Sequence, residues 1–166
     1  MMIYIAGPLG YETALALYND NIVRIKKQFP LFFIKQFLEI KENMEVFNIE
    51  KYTQDVYIRE IREGGLFGCL WQALEELGAG CRTDALRIPL NQETAEILEF
   101  FKENPYEVSS KGSFIIISKE PVQGAALIGF TDETRSRVVD FGNHKRFLTP
   151  LDRQKKDIQD RKGETK

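Results

Sequence analysis

Cysteine is scarce: Cys69 and Cys81 are the only two in 166 residues. Two cysteines make no disulfide framework, and their spacing is not that of a metal-ligand pair. Both read as reduced thiols in a cytoplasmic protein. Histidine is scarcer still, with His144 alone beside the Gly142-Asn143 turn. No Ser-His-Asp order with its flanking motifs is present, and nothing reads as a P-loop, a dinucleotide fingerprint or a zinc site. No apolar run reaches the roughly 18 residues of a membrane-spanning helix. The opening MMIYIAGPLG has no basic region and breaks at Gly7-Pro8, so a signal peptide is not expected. Charge of one sign is lacking too. The 23 Lys+Arg stand against 25 Asp+Glu, net -2, which gives no basic field for nucleic acid or an anionic membrane.

What is present is the composition of a globular domain: 43% hydrophobic, 29% charged and 11% aromatic. The length fits one domain, which hides roughly 70% of its unfolded surface. Residues 2–6 form a short apolar run, expected as a buried strand, and Gly7-Pro8-Leu9-Gly10 as a turn. Helical patterns follow over 11–19 and 22–29. Pro30 opens a third helix whose Phe33, Phe37 and Ile40 recur at i, i+4 and i+7. Residues 53–61 read as a strand. Gly64-Gly65 then starts a helix to Leu77, with one face of Leu66, Leu70, Ala73, Leu74 and Leu77 and a second of Phe67 and Trp71. Glycines 78 and 80 end it.

Further strands are expected over 81–84, 114–118, 125–130, 137–141 and 145–148. A helix is expected over 92–102, capped by Asn91 and stopped at Asn104-Pro105. Strands mixed with helices give an α+β domain, a mixed sheet with helices packed against it. Its expected extent is 1–150. Residues 151–166 are a charged tail, with six Lys/Arg and four Asp/Glu after Leu151.

The sharpest local feature is Arg59-Glu60-Ile61-Arg62-Glu63-Gly64-Gly65. A strand runs into a glycine pair at a helix start, where free N–H groups and the helix dipole suit an anion. Arg59 and Arg62 would add charge-assisted bonds to phosphate or carboxylate. The plainer reading is a turn with surface arginines. Glu60 is the candidate for acid–base work, with Glu63 beside it, against a reading as solvated carboxylates. Ser109-Ser110-Lys111-Gly112-Ser113 could line a site, Ser110 and Gly112 included, or be a polar turn.

Several stretches carry a resemblance: Gly64 to Trp71, Ile88-Pro89-Leu90 with Glu93-Thr94, Asn104 to Ser113, and Ala126 to Gly129, after an opening Gly7 to Ala14. In this order they resemble the C-terminal domain of aminoimidazole ribonucleotide (AIR) synthase-related proteins. That superfamily includes hydrogenase-maturation E proteins, selenophosphate synthetase and thiamine monophosphate kinase. The resemblance covers about residues 3–150 and implies a mixed sheet flanked by helices. It also implies that an N-terminal domain, which dimerises, binds ATP and carries the metal-binding aspartates, is the usual partner.

Three departures qualify it. Only the acidic position and the glycines remain of a His-Asp-x-Thr-x-Gly-Gly type of motif. Residues 119–124 replace a helix. The ending Gly163-Glu164-Thr165-Lys166 has no carbamoyl-accepting cysteine.

The chain is therefore expected to act as a stand-alone, non-catalytic module for a ligand or partner. The alternative is the substrate-side subunit of a split ATP-dependent enzyme. ATP and Mg²⁺ are expected only with a partner domain, and no metal is expected in this chain alone. Arg59, Arg62, Gly64, Gly65, Ser110 and Gly112 are the expected ligand residues, with Phe67 and Trp71 as a partner interface. Expected partners are a separate ATP-binding domain, a phosphorylated or carboxylated small molecule, or a second copy of the chain. Nucleic acid and membrane are not expected.

Overall fold

The apolar run at the start of the chain becomes the middle of a sheet. A computed structural model describes residues 1–43, 47–52, 56–151 and 153. Strand β1 (Met2–Ala6) buries Ile3 and Ile5 on one face and Tyr4 and Ala6 on the other. A strand covered on both faces needs an unbroken apolar run, which is what the sequence supplies.

Strands β4 (Ser110–Ser118) and β5 (Ala126–Asp132) flank β1, both antiparallel to it. Strand β2 (Val56–Ile61) lies antiparallel on the outer side of β4. Beyond β5 come β3 (Gly80–Asp84), antiparallel to it, then β6 (Arg137–Asp140), parallel to β3, and β7 (Lys145–Phe147) at the edge. The sheet order is β2-β4-β1-β5-β3-β6-β7, a mixed sheet of the expected α+β class.

The helices are α1 (Tyr11–Asp20), α2 (Ile22–Gln28), α3 (Leu31–Glu39), α4 (Gly65–Glu76) and α5 (Gln92–Phe100). Leu66, Leu70 and Leu74 of α4 pack on Ile3, Ile115, Ile117 and Ile128 of the sheet. A second cluster joins α1, α2, α3 and α5 around Tyr11, Ile25, Phe37, Ile97 and Leu98. The Phe33, Phe37, Ile40 stripe lies inside it, as its spacing requires.

The short link between β4 and β5 follows from the sheet order. Strands β4 and β5 run parallel on either side of β1, so the link 119–125 must return along the length of β1. Seven extended residues reach about 23 Å, and a five-residue strand is about 17 Å long. The link therefore crosses the face without a helix. It buries Val122 against Tyr4, Ala6 and Ile116. The Tyr52 hydroxyl pins it, donating to the Gln123 carbonyl and accepting from the Gln123 N–H.

Several boundaries differ from expectation. Strand β4 begins four residues early, at Ser110, because the polar SSKGS stretch is a bulged strand start and not a turn before the strand. Residues 53–55 of the expected strand lie outside the described residues, as does the charged tail after Leu151 apart from Arg153. Pro30 is the extended residue before α3, not a member of its first turn. Asn91 holds the cap position of α5 through its carbonyl, which accepts from Ala95, while its side chain makes no capping bond.

Helix α5 stops at Phe100, two residues before the expected end. The Lys102 N–H donates to Glu99 and the Glu103 N–H to Leu98, and Lys102 takes a left-handed conformation at φ 59°. Helix α4 ends in the same way but with Gly78 at the left-handed position, φ 64°. A side chain in that conformation costs about 1 kcal/mol relative to glycine. Lys102→Gly is therefore expected to raise stability by about 1 kcal/mol in urea denaturation, whereas Gly78→Lys lowers it by a similar amount.

Candidate functional site

Three sequence-distant loops meet at the bulged start of β4. The turn after β1 carries Gly7, at φ 92°, whose absent Cβ would stand 2.3 Å from the Gly112 carbonyl oxygen and 2.8 Å from Ser113 Cα. Only glycine allows that approach. Gly10 N–H donates to Ser110 Oγ at 2.7 Å, and Thr13 Oγ1 donates to the Ser109 carbonyl at 2.8 Å. Glu12 accepts from the Lys111 N–H at 2.9 Å, and Glu60 of β2 accepts from the Gly112 N–H at 2.8 Å. Two carboxylates thus occupy two successive backbone N–H groups of the bulge.

Glu60 is fully engaged. Its second oxygen accepts from Arg62 Nε at 2.8 Å. The Gly112 N–H, then the Arg62 guanidinium, hold its carboxyl below the usual carboxylate range despite partial burial. Here it clamps β2 to β4. Arg59 points the other way, toward α4, where it meets Gln72 at 3.0 Å and Glu76 at 2.8 Å. Tyr57 donates to the same Glu76, and burial together with that bond pushes its hydroxyl up to about 12.

The glycine pair is spent on packing. Gly64 and Gly65 both have positive φ. Leu151 Cδ1 would lie 2.2 Å from a Cβ on Gly64, and the Glu107 backbone 2.5 Å from one on Gly65. At the head of α4, Gly65 N–H donates to Arg62 and Phe67 N–H to Tyr106. Cys69 Sγ accepts from the Arg62 N–H and contacts the Glu63 carbonyl, so its thiol braces the turn. The structure thus gives the expected anion-docking groups to the chain itself. Arg59 and Arg62 lie on opposite sides of β2, and Ser110 is buried beneath the bulge.

Phe67 is not a surface residue: it is 1% exposed. Tyr106 stacks on it at 5.1 Å, Phe141 meets it edge-on and Arg146 of β7 lies 4.8 Å over its ring. Trp71 is half-buried under Arg137 of β6. Strands β6 and β7 therefore cover the second apolar face of α4 from within the chain, which the local spacing could not reveal.

An open cleft of about 580 Å³ lies beside the bulge. Gly7, Glu12, Lys111 and Gly112 form its polar wall. Leu15, Phe47 and Phe114 form its apolar part, and Lys41 stands at its margin. Phe47 and Phe114 approach at 6.2 Å. Lys41 and Lys111 make no ion pair among the described residues. The volume is that of a small-molecule site, and the lining is mostly apolar with a few polar groups. Lys111 and Gly112 were legible as part of SSKGS. Glu12 follows a Gly-x-x-Gly turn, a signal that was there to use. Lys41, Phe47 and Phe114 carried none, because long-range packing assembles them. Among the described residues no three of His, Cys, Asp or Glu gather as a metal-binding group, and no helix is long and apolar enough to cross a membrane.

No protein-family model and no curated protein sequence matches the chain. Solved structures do match its fold. Hydrogenase maturation protein HypE in complex with ATP gives a TM-score of 0.62 at 16% identity, over 90% of this chain and 50% of that one. HypE of E. coli gives 0.63 at 15% identity, over 89% and 49%. Thiamine monophosphate kinase from Aquifex aeolicus gives 0.57 at 15% identity, over 84% and 49%. The fold is thus of the kind found in HypE and thiamine monophosphate kinase, and the chain spans about half the length of those structures.

Because the Glu60 carboxyl is lowered in the fold, its contribution is complete above the ordinary carboxylate value and is lost as pH falls through the lowered one. Glu60→Gln is expected to be less stable than the parent at neutral pH. The gap should close on acidification, as read by thermal melts across a pH series.

Proposed function

We propose that the chain is a non-catalytic ligand-binding module built on the C-terminal domain of the AIR synthase-related fold. Its ligand is a phosphorylated or carboxylated small molecule with a flat apolar body. The observation that carries this reading is that Lys41 and Lys111, which form no ion pair among the described residues, line one cleft together with Phe47 and Phe114. The ring lies on the aromatic floor and the anion meets the lysines. Glu12 and Glu60 already hold the bulge N–H groups, so the lysines supply the attraction for the anion. The engagement of both Glu60 oxygens supports a binding role over acid–base catalysis.

Calorimetric titration tests this. Phenyl phosphate should bind more tightly than inorganic phosphate, and added salt should weaken both. Lys41→Ala and Lys111→Ala should each lower affinity about tenfold, the size of one lost charge-assisted bond. ATP hydrolysis by the purified chain, abolished by Glu60→Ala, would overturn the non-catalytic reading.

One observation favours a second reading, the substrate-side subunit of a split ATP-dependent enzyme: the chain spans about half the length of the structures it matches. One of those was solved with ATP, another as a HypE-HypF complex, and a third with AMPPCP and TMP. In this reading ATP and Mg²⁺ come with a separate ATP-binding domain. Turnover that appears only when such a domain is supplied would select it.

A further inference from the structure

The sheet face turned away from α4 carries a line of side chains that the rest of the described chain covers only at its β1 end. The strand registers join Met2 to Phe130, Phe130 to Arg82, Arg82 to Val138 and Val138 to Phe147. Residues directly paired across strands share a face, so these five form one row across β1, β5, β3, β6 and β7. Over β1 the same face is closed by Phe47, Tyr52 and Val122. Further along the cover stops: Phe130 is 54% exposed and Phe147 64%.

Two grooves flank Arg82. One, of about 310 Å³, lies beside Val138 and Phe147, and the other, of about 490 Å³, beside Phe130 and Leu86. The charges around the row are of both signs and loosely matched. Arg82, with a side chain 87% exposed, stands 3.9 Å from Asp132, and Lys145 stands 3.8 Å from Asp140.

We propose that this face binds a second copy of the chain, sheet against sheet, about a two-fold axis passing between Arg82 and Val138. A two-fold interface must be complementary to itself. The row meets that condition. It ends in two projecting rings, Phe130 and Phe147, with two grooves between them, so each ring of one copy enters a groove of the other. Arg82, whose own pair with Asp132 is long and exposed at 3.9 Å, then gains a second carboxylate from the other copy. The surrounding aspartates disfavour a nucleic acid or an anionic membrane on this face, and the mixed signs give a strongly charged foreign protein no field to follow. Exposed rings beside an arginine are the residue types that dominate interface energies.

The test is sedimentation velocity of the full chain over a concentration series. A reversible dimer is expected. Phe147→Glu should raise its dissociation constant about thirtyfold or more, the weight of a central aromatic anchor, with the circular dichroism spectrum unchanged because Phe147 is exposed. Mixed chains carrying Phe130→Cys and Phe147→Cys should cross-link under mild oxidation, while either variant alone should not. The native Cys69 and Cys81 are buried and do not compete. A chain that stays monomeric throughout, a dimer indifferent to Phe147→Glu, or the absence of the mixed cross-link would each overturn the proposal.

Discussion

Everything at the cleft end of the molecule depends on one backbone contact, the passage of Gly7 against the Gly112 carbonyl and Ser113 Cα. A methyl group there would overlap both. Because the contact is made, α1 starts directly against the bulge of β4. Glu12, in the first turn of that helix, then reaches the Lys111 N–H. The same bulge receives Glu60 from β2 on its other side. One steric allowance at a single residue therefore fixes the relative position of a helix and two strands, and with them the wall of the cleft.

The charged residues divide into those the fold consumes and those it leaves. Glu60, Arg62, Arg59 and Glu76 are tied to one another or to the backbone along β2. Arg137 and Arg146 lie over Trp71 and Phe67 and bond Glu75 and Glu107, so both guanidinium groups serve packing as much as charge. Lys41 and Lys111 form no ion pair among the described residues, and Lys111 adds only a long-range pull on Glu60. Arginine, with its flat fork of donors, suits the internal roles, and lysine remains at the open cleft.

Local chemistry was readable in the sequence wherever a short window decides the outcome. The unbroken apolar run of β1, the spacing of Phe33 and Phe37, and the glycine that ends α4 each determine structure within a few residues. The polar SSKGS segment was ambiguous because a bulge and a turn use the same residues; pairing with Ile61 of β2, some fifty positions away, decides it. Phe67 and Trp71 misled for the same reason. At i and i+4 they form a helix face, but strands β6 and β7, far along the chain, cover it. The cleft needs α1, the segment after α3 and β4 together, and no local pattern announces that assembly. Arg59 and Arg62 look adjacent in sequence, yet strand alternation sends them to opposite faces.

The place of β1 at the centre of the sheet has a cost in time. Its partners are Phe114–Ser118 of β4 and, beyond them, β5. During synthesis at about 5–20 residues per second, the apolar MIYIA segment waits roughly 5–20 s before its first partner strand exists. Closing loops of that length is also slow by its nature, because the entropy is lost before the contacts form. The helices of the first forty residues can pair early, but the sheet cannot begin from its middle. Strand β1 is therefore made long before either of its neighbours and stays unpaired meanwhile, a period in which a chaperone has an evident client.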